Sequence, residues 1–334
     1  MRHLKHISWA QVLVLSLSVA IAGCAKKDEV VVHAAEGAGV SAEELERDPS
    51  ALLPGRSVAV GYLDAQQLFA SEFGTRLLTI WARRAPIPAG ADFDPRRDLR
   101  SLYIGAYSMQ GADFLGVAVG TFNPERLEAA AAASGQTPQG IPIVETRYAE
   151  RRLFIADTVG FVALTPKLML VGNPTGLRRA LDRIQQRRVK REIPSWFSSQ
   201  LSASSLPPIV VGADFRASPL PESVRQRFPL VVGLETVGLL GNFMPPGINL
   251  AGTFGYHDAP QALAGANNIS LLYQNLSSYS LIMSLMGIGQ PIRKLEVQPK
   301  DKELAVVAEI DGRAVGQLLD QADAWLNANT GRGK

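Results

Sequence analysis

The sequence predicts an α+β fold: two related halves of largely antiparallel sheet with packed helices. Three observations lead there. β-rich runs are separated by turn residues at hairpin spacing. Helical signals are interspersed among the hairpins, which argues for α+β organisation. The order strand, helix, hairpin, helix, strands, helix occurs twice, with Gly120-Thr121-Phe122 in one half and Gly252-Thr253-Phe254 in the other. That recurrence points to an internal duplication.

In the first half, Val58–Leu63 reads as a strand and residues 64–83 as a helix. Leu99–Tyr107 and Phe114–Phe122 form a hairpin around Gln110-Gly111. Asn123-Pro124-Glu125 then opens a helix, with Asn as N-cap, Pro at the first helical position and Glu in the first turn. Gly135 closes it. Strands follow over 141–148, 152–157, 160–164 and 168–172, and a helix over Thr175–Arg188 completes the half.

The second half opens with the strand Ile209–Gly212 and a Pro-rich helix over 219–227. Strands over 230–240 and 248–256 flank Met244-Pro245-Pro246-Gly247. One helix follows His257-Asp258-Ala259-Pro260, and a second, apolar helix covers 276–288. Strands over 292–299 and 303–310 precede a last helix from Asp311, which carries Val315, Leu318, Leu319 and Trp325. The predicted organisation is a first α+β domain at 55–190, a Ser- and Pro-rich linker at 191–207 and a second α+β domain at 208–330.

The chain has 334 residues, a formal charge of +3 and one cysteine. That length is ample for a core. The small charge surplus argues against a general nucleic-acid binder. A single cysteine excludes an intramolecular disulfide and a cysteine-based zinc site.

The N-terminus carries the most specific signal. Arg2 and Lys5 precede an uncharged run from Val12 to Ala22. The run is too short for a membrane-spanning helix, which needs about 20 residues. It suits the h-region of a secretory signal. Ile21-Ala22-Gly23-Cys24 follows and resembles the lipobox of bacterial lipoproteins. The resemblance covers residues 1–24. It implies a signal peptide at 1–23, cleavage between Gly23 and Cys24, a diacylglyceryl thioether on Cys24 and a further acyl chain, such as palmitate, on its α-amino group. Three chains, at about 0.8 kcal/mol per buried CH₂, would make a permanent anchor. Ala25 and Lys26 replace the Asp that directs enteric lipoproteins to the inner membrane. The resemblance therefore implies an outer-membrane location, facing the periplasm or the cell surface. Residues 24–54 read as the lipidated Cys and a flexible tether, acidic on balance and about 30 Å in mean reach. The body is similar in texture to uncharacterised bacterial envelope lipoproteins, and that likeness carries no activity.

Catalytic motifs are absent from the sequence. No Ser lies in Gly-x-Ser-x-Gly, and no Ser-x-x-Lys occurs. His257-Asp258 reads as a turn and cap pair, with a catalytic pair as the sharper alternative. Asp92, Asp94 and Asp98 read as a capped loop, since Arg96 and Arg97 among them oppose a cation. Gly238-Leu239-Leu240-Gly241 lacks the Lys-Ser/Thr of a phosphate loop. No metal or cofactor is expected.

Two features remain as candidate contacts. Arg178, Arg179, Arg183, Arg187, Arg188, Lys190 and Arg191 give residues 178–192 a net charge of +5. They fit a solvated helix C-terminus or, alternatively, an anionic surface of phospholipid or lipopolysaccharide head groups. Leu272, Leu276, Tyr279, Met283 and Met286 lie in an apolar stretch that fits a core helix, a lipid-like ligand lining or a partner-docking face. The expectation is a non-enzymatic, lipid-anchored envelope protein with a structural or partner-binding role. The alternative is a carrier or sensor of a hydrophobic or anionic envelope ligand; an envelope hydrolase with spatially assembled carboxylates comes behind both. The partners expected are the membrane through Cys24, an envelope protein and a lipid-like ligand, with no nucleic acid.

Overall fold

The computed structural model describes residues 40–84, 87–107, 113–245, 247–279 and 289–330. Cys24 and the signal peptide, most of the tether, the Gln110-Gly111 turn, and Met283 and Met286 lie outside the described residues.

The fold is α+β. Its strands in chain order are β1 (Ala59–Asp64), β2 (Leu99–Ala106), β3 (Phe114–Gly120), β4 (Ile143–Tyr148), β5 (Arg151–Ala156), β6 (Val159–Thr165), β7 (Leu168–Gly172), β8 (Ile209–Asp214), β9 (Leu234–Met244), β10 (Gly247–Tyr256), β11 (Ile292–Lys300) and β12 (Glu303–Asp311). The helices are α1 (Ala42–Arg47), α2 (Ala65–Ala70), α3 (Glu72–Arg84), α4 (Pro95–Asp98), α5 (Pro124–Ser134), α6 (Pro174–Gln185), α7 (Ser195–Leu201), α8 (Glu222–Arg227), α9 (Ala259–Ser278) and α10 (Gly312–Thr330).

Capping side chains set several helix starts. Asn123 accepts from the Arg126 N–H at α5, Asn173 from the Gly176 N–H at α6, and Asp258 from the Gln261 N–H at α9. Pro124, Pro174 and Pro260 stand in the first turns, where a missing N–H costs nothing. Gly135 ends α5 in the left-handed conformation, at φ 63°. Two boundaries differ from expectation. Residues 64–83 form two helices, because the Ser71 hydroxyl donates to the Leu68 carbonyl and accepts from the Gly74 N–H, which breaks the helix between them. β9 begins late because Pro229–Val231 form a 3-10 turn. The helix expected after Asp258 is α9, of 20 residues, and most of the second helix expected over 276–288 lies outside the described residues.

The twelve strands among the described residues join one sheet, in the order β11-β12-β10-β9-β8-β1-β2-β3-β7-β6-β5-β4. Every pairing is antiparallel. From the centre outward, β1-β2-β3-β7-β6 and β8-β9-β10-β12-β11 follow the same connectivity. The two halves meet through β1 and β8, Ala59 opposite Ala213 and Leu63 opposite Ile209. The two Gly-Thr-Phe segments occupy different places: Gly120 ends β3, whereas Gly252 lies inside β10. The segment 191–207 contains α7, whose Phe197 is fully buried against Val60 and Val210.

The sheet has two differently covered faces. On one, Leu115, Val117 and Leu170 pack under α6 and under Leu45, Leu52 and Leu53 of the N-terminal segment. On the other, Phe154, Phe161 and Met169 lie under α5, while Leu304, Val306 and Val297 lie under α9.

Candidate functional site

Strand register builds the site. Residues directly opposite one another share a face. Reading across from the first half, Phe154, Phe161, Val171, Gly116, Ile104, Gly61, Val211, Leu239, Gly252, Val306 and Val297 fall in one continuous row. The Phe154 end is buried beneath α5, and the Val306 end packs beneath α9. The middle is open: Ile104 is 37% exposed and Val211 39%, unusual for apolar side chains central in a sheet. The next row, Leu102, Leu63, Ile209, Gly241 and Leu250, is only half-buried. The result is a trough with an apolar floor between helices α5 and α9. At about 4.8 Å per strand, Ile104 and Leu239 stand about 14 Å apart across it.

Gly61 deepens the trough. A Cβ built there would meet only the Val210 carbonyl at 3.6 Å and Val211 Cγ2 at 3.9 Å, ordinary contacts that leave room for a side chain. Gly212, next to Val211 but on the opposite face, differs: a Cβ there would overlap the Trp196 ring.

One end of the trough continues into a cavity of about 580 Å³, within the size range of small-molecule sites. Phe243, on the same face as Leu239, joins the two, and Ala70, Phe73 and Met244 add apolar lining. This end also carries charge. Arg313 Nε lies 3.3 Å from Glu72 Oε1, and Asp311 caps α10 by accepting from the Arg313 and Ala314 N–H groups. Arg76, bonded to Asp320 at 2.6 Å, ties α3 to α10.

The basic cluster is not one surface. Arg183 is buried; it donates to Glu192 at 2.9 Å and to the carbonyls of Ala51 and Lys190. The Arg183 hydrogen bond holds the Glu192 carboxyl below its usual range. Arg191 donates to Asp48 and Ser198. Arg179 pairs with Asp113 and lies over the Tyr107 ring, and Arg178 lies over Tyr148. Arg188 donates to the Gln186 side chain, and Lys190 is 3.8 Å from Glu192. Arg187, just beyond α6, takes a left-handed conformation, at φ 53°. Much of this positive charge therefore fastens residues 48–51 and 190–192 to α6.

Ala262, Ala266 and Ile269 turn one side of α9 to the sheet. Leu272 and Tyr279 are each 43% exposed, Leu271 and Leu263 are more so, and Leu276 is half-buried. The Leu272–Tyr279 stripe thus belongs largely to the outer side of the helix. Asp94 caps α4, and Asp98 binds Arg97, whose hydrogen bond lowers the Asp98 pKa. His257 Nδ1 lies 2.8 Å from Glu235 on the surface. Among the described residues, no group of three His, Cys, Asp or Glu side chains is placed to hold a metal ion, and no helix is long and apolar enough to cross a membrane.

The trough itself was missed by sequence reading. Its residues look like ordinary strand residues, and only the order of strands makes them neighbours. Gly238 and Gly241 among the apolar residues of β9 are the one local hint in the sequence.

No protein-family model matches the sequence, and no curated protein is significantly similar to it. Solved structures do resemble the fold. Crystal form I of the treponemal protein TP0453 superposes with a TM-score of 0.51 at 7% identity, covering 82% of this chain and 97% of that one. Crystal form III of the same protein gives a TM-score of 0.50 at 9% identity, covering 82% and 98%. The likeness is one of fold.

Proposed function

We propose that this chain is a non-enzymatic, lipid-anchored protein of the bacterial envelope that binds an apolar ligand, the acyl part of an envelope lipid, in the central trough. One observation carries the reading: a row of apolar side chains runs across the sheet, covered by helices at both ends and open from Ile104 to Leu239. A soluble domain gains by covering such surface, at about 25 cal/mol per Å². An acyl chain suits the floor because it needs no hydrogen bonds, and the floor offers no polar side chains. The polar end at Glu72, Asp311 and Arg313 would face the ligand's head group. The anchor reading rests on Ile21-Ala22-Gly23-Cys24, which also motivates the outer-membrane location.

A partner-binding role has its own observation, the outward Leu263, Leu271 and Leu272 of α9. The test for the ligand is native mass spectrometry of the full chain, extracted from membranes in mild detergent. The reading expects a stoichiometric lipid mass that a fluorescent fatty acid displaces. A ligand-free chain that does not bind the fatty acid refutes it and moves weight to the partner role. Intact mass of the same sample tests the anchor: a start at Cys24 with acyl mass supports it, and an unacylated chain cut elsewhere overturns it.

A further inference from the structure

Each interior strand of the sheet has a partner on both sides, and the two edge strands differ in how they are left. β11 carries Arg293, Lys294, Pro299 and Lys300 and an irregularity of register between Ile292 and Lys294. Those are devices that stop an edge from pairing. β4, at the other edge, has no proline, no lysine and an unbroken register against β5.

The free groups on β4 follow from its hairpin. β4 and β5 join through Ala149 and Glu150, both at positive φ (48° and 63°), with Tyr148 opposite Arg151. A two-residue turn of this kind makes the flanking pair hydrogen-bonded. Alternation then directs the backbone groups of Tyr148, Thr146 and Val144 toward β5, and those of Arg147, Glu145 and Ile143 outward. The Ile143 N–H bears this out, since it donates to the Gly135 carbonyl at 2.8 Å rather than to β5. That bond closes the strand at one end. The outward N–H and C=O groups of Glu145 and Arg147 have no backbone partner among the described residues.

An antiparallel two-fold pairing must set outward residues opposite outward residues. Three registers do so. One puts Glu145 opposite Glu145, one puts Arg147 opposite Arg147, and one puts Glu145 opposite Arg147 in both directions. The first two juxtapose like charges, which is destabilising. The third matches unlike charges and uses all four free backbone groups of each copy. It also places Val144 opposite Tyr148 and Thr146 opposite its own copy. Two side chains agree with it. Arg147 makes no side-chain hydrogen bond or close ion pair among the described residues, its charge acting only at longer range on Glu145 of its own strand, and the buried Thr146 hydroxyl has no hydrogen-bond partner. Thr–Thr pairs are favourable across strands. Glu145 is bonded to Arg152 at 2.7 and 2.9 Å, and its carboxylate has acceptor sites to spare.

We propose that two copies of the chain pair antiparallel through β4, about a two-fold axis at Thr146, to make one continuous 24-stranded sheet. This pairing is independent of the trough and of its ligand.

Disulfide trapping in membranes containing the full chain tests it. In this register Thr146 faces its own copy in a non-hydrogen-bonded pair, about 4.5 Å apart at Cα, within disulfide range. Under mild oxidation Thr146→Cys should give a covalent dimer well above the wild-type background, since the single native cysteine, Cys24, is read as blocked by its thioether. Val144→Cys and Tyr148→Cys should each fail alone and should crosslink when co-expressed. A second measurement covers variants that fold poorly. In sedimentation of the full chain in detergent, Glu145→Arg should weaken the dimer about tenfold, and adding Arg147→Glu should restore it. A wild-type chain that sediments as a monomer at 100 μM overturns the proposal. So does crosslinking at Val144→Cys alone that equals Thr146→Cys, and so does an edge occupied by a different protein.

Discussion

Replacing Gly61 by valine tests the trough directly. The position is central in the open row, between Ile104 and Val211. The nearest atoms to a new Cβ are 3.6 and 3.9 Å away, ordinary contacts that give no clash at the branch point. A β-branched residue also suits a strand better than glycine, which costs roughly 0.5–1 kcal/mol in a strand interior. Stability should therefore hold or rise by about 0.5–1 kcal/mol in urea unfolding. Binding should suffer. The three added carbons displace about three methylenes of a bound chain, at about 0.8 kcal/mol each. The loss is about 2.4 kcal/mol, or roughly fiftyfold in Kd. The assay is titration of the full chain with a fluorescent fatty acid, beside urea unfolding of the same sample. A folded Gly61→Val chain that binds as well as wild type would show that the ligand does not occupy this row. A chain destabilised by more than about 2 kcal/mol would show that the row is closed.

Gly212→Ala should behave in the opposite way: the new Cβ overlaps Trp196, so unfolding should show a loss of about 1–3 kcal/mol with fatty-acid binding per folded molecule unchanged. Arg183→Leu leaves Glu192 and two carbonyls without their donor; about 3 kcal/mol should be lost in urea unfolding. Phe197→Ala, emptying a fully buried site under the β1–β8 junction, should cost about 3–5 kcal/mol. The N-terminal segment should loosen in acid. Glu46 is held below its usual pKa by the Lys167 hydrogen bond and Glu192 by that of Arg183; at Asp48, burial pulls the pKa upward and the Arg191 hydrogen bond is among the effects that outweigh it. Folded pKa values below the unfolded ones give stability that is complete above the unfolded values, near 4, and lost as pH falls through the folded ones. Hydrogen exchange should show residues 42–53 opening faster at pH 3 than at pH 7, and equal rates would refute the assignment.

Local chemistry was legible in the sequence. Asn123-Pro124 and Asp258 mark helix starts because a cap satisfies N–H groups only two or three residues away. Gly135 marks a helix end because it takes a left-handed conformation with no Cβ penalty. The hairpins and the α+β class follow from the same short-range signals. The basic run at 178–191 was visible as charge. Whether Arg183 lay inside depended on Ala51 and Glu192, and Ala51 is 132 residues away in the chain.

Strand order was decided by tertiary structure alone. Alternation along a strand says which residues share a face, but not which strand lies beside it. Ile104, Gly61, Val211 and Leu239 come from four separated segments, and they become neighbours only because β1 pairs with both β2 and β8 and β8 pairs with β9. Whether that row is open or covered depends in turn on where α5 and α9 pack. The sequence by itself determined the elements and the candidate lipid anchor; the sheet that joins the halves, its apolar trough and its unprotected edge arise from long-range pairing, which no local pattern encodes.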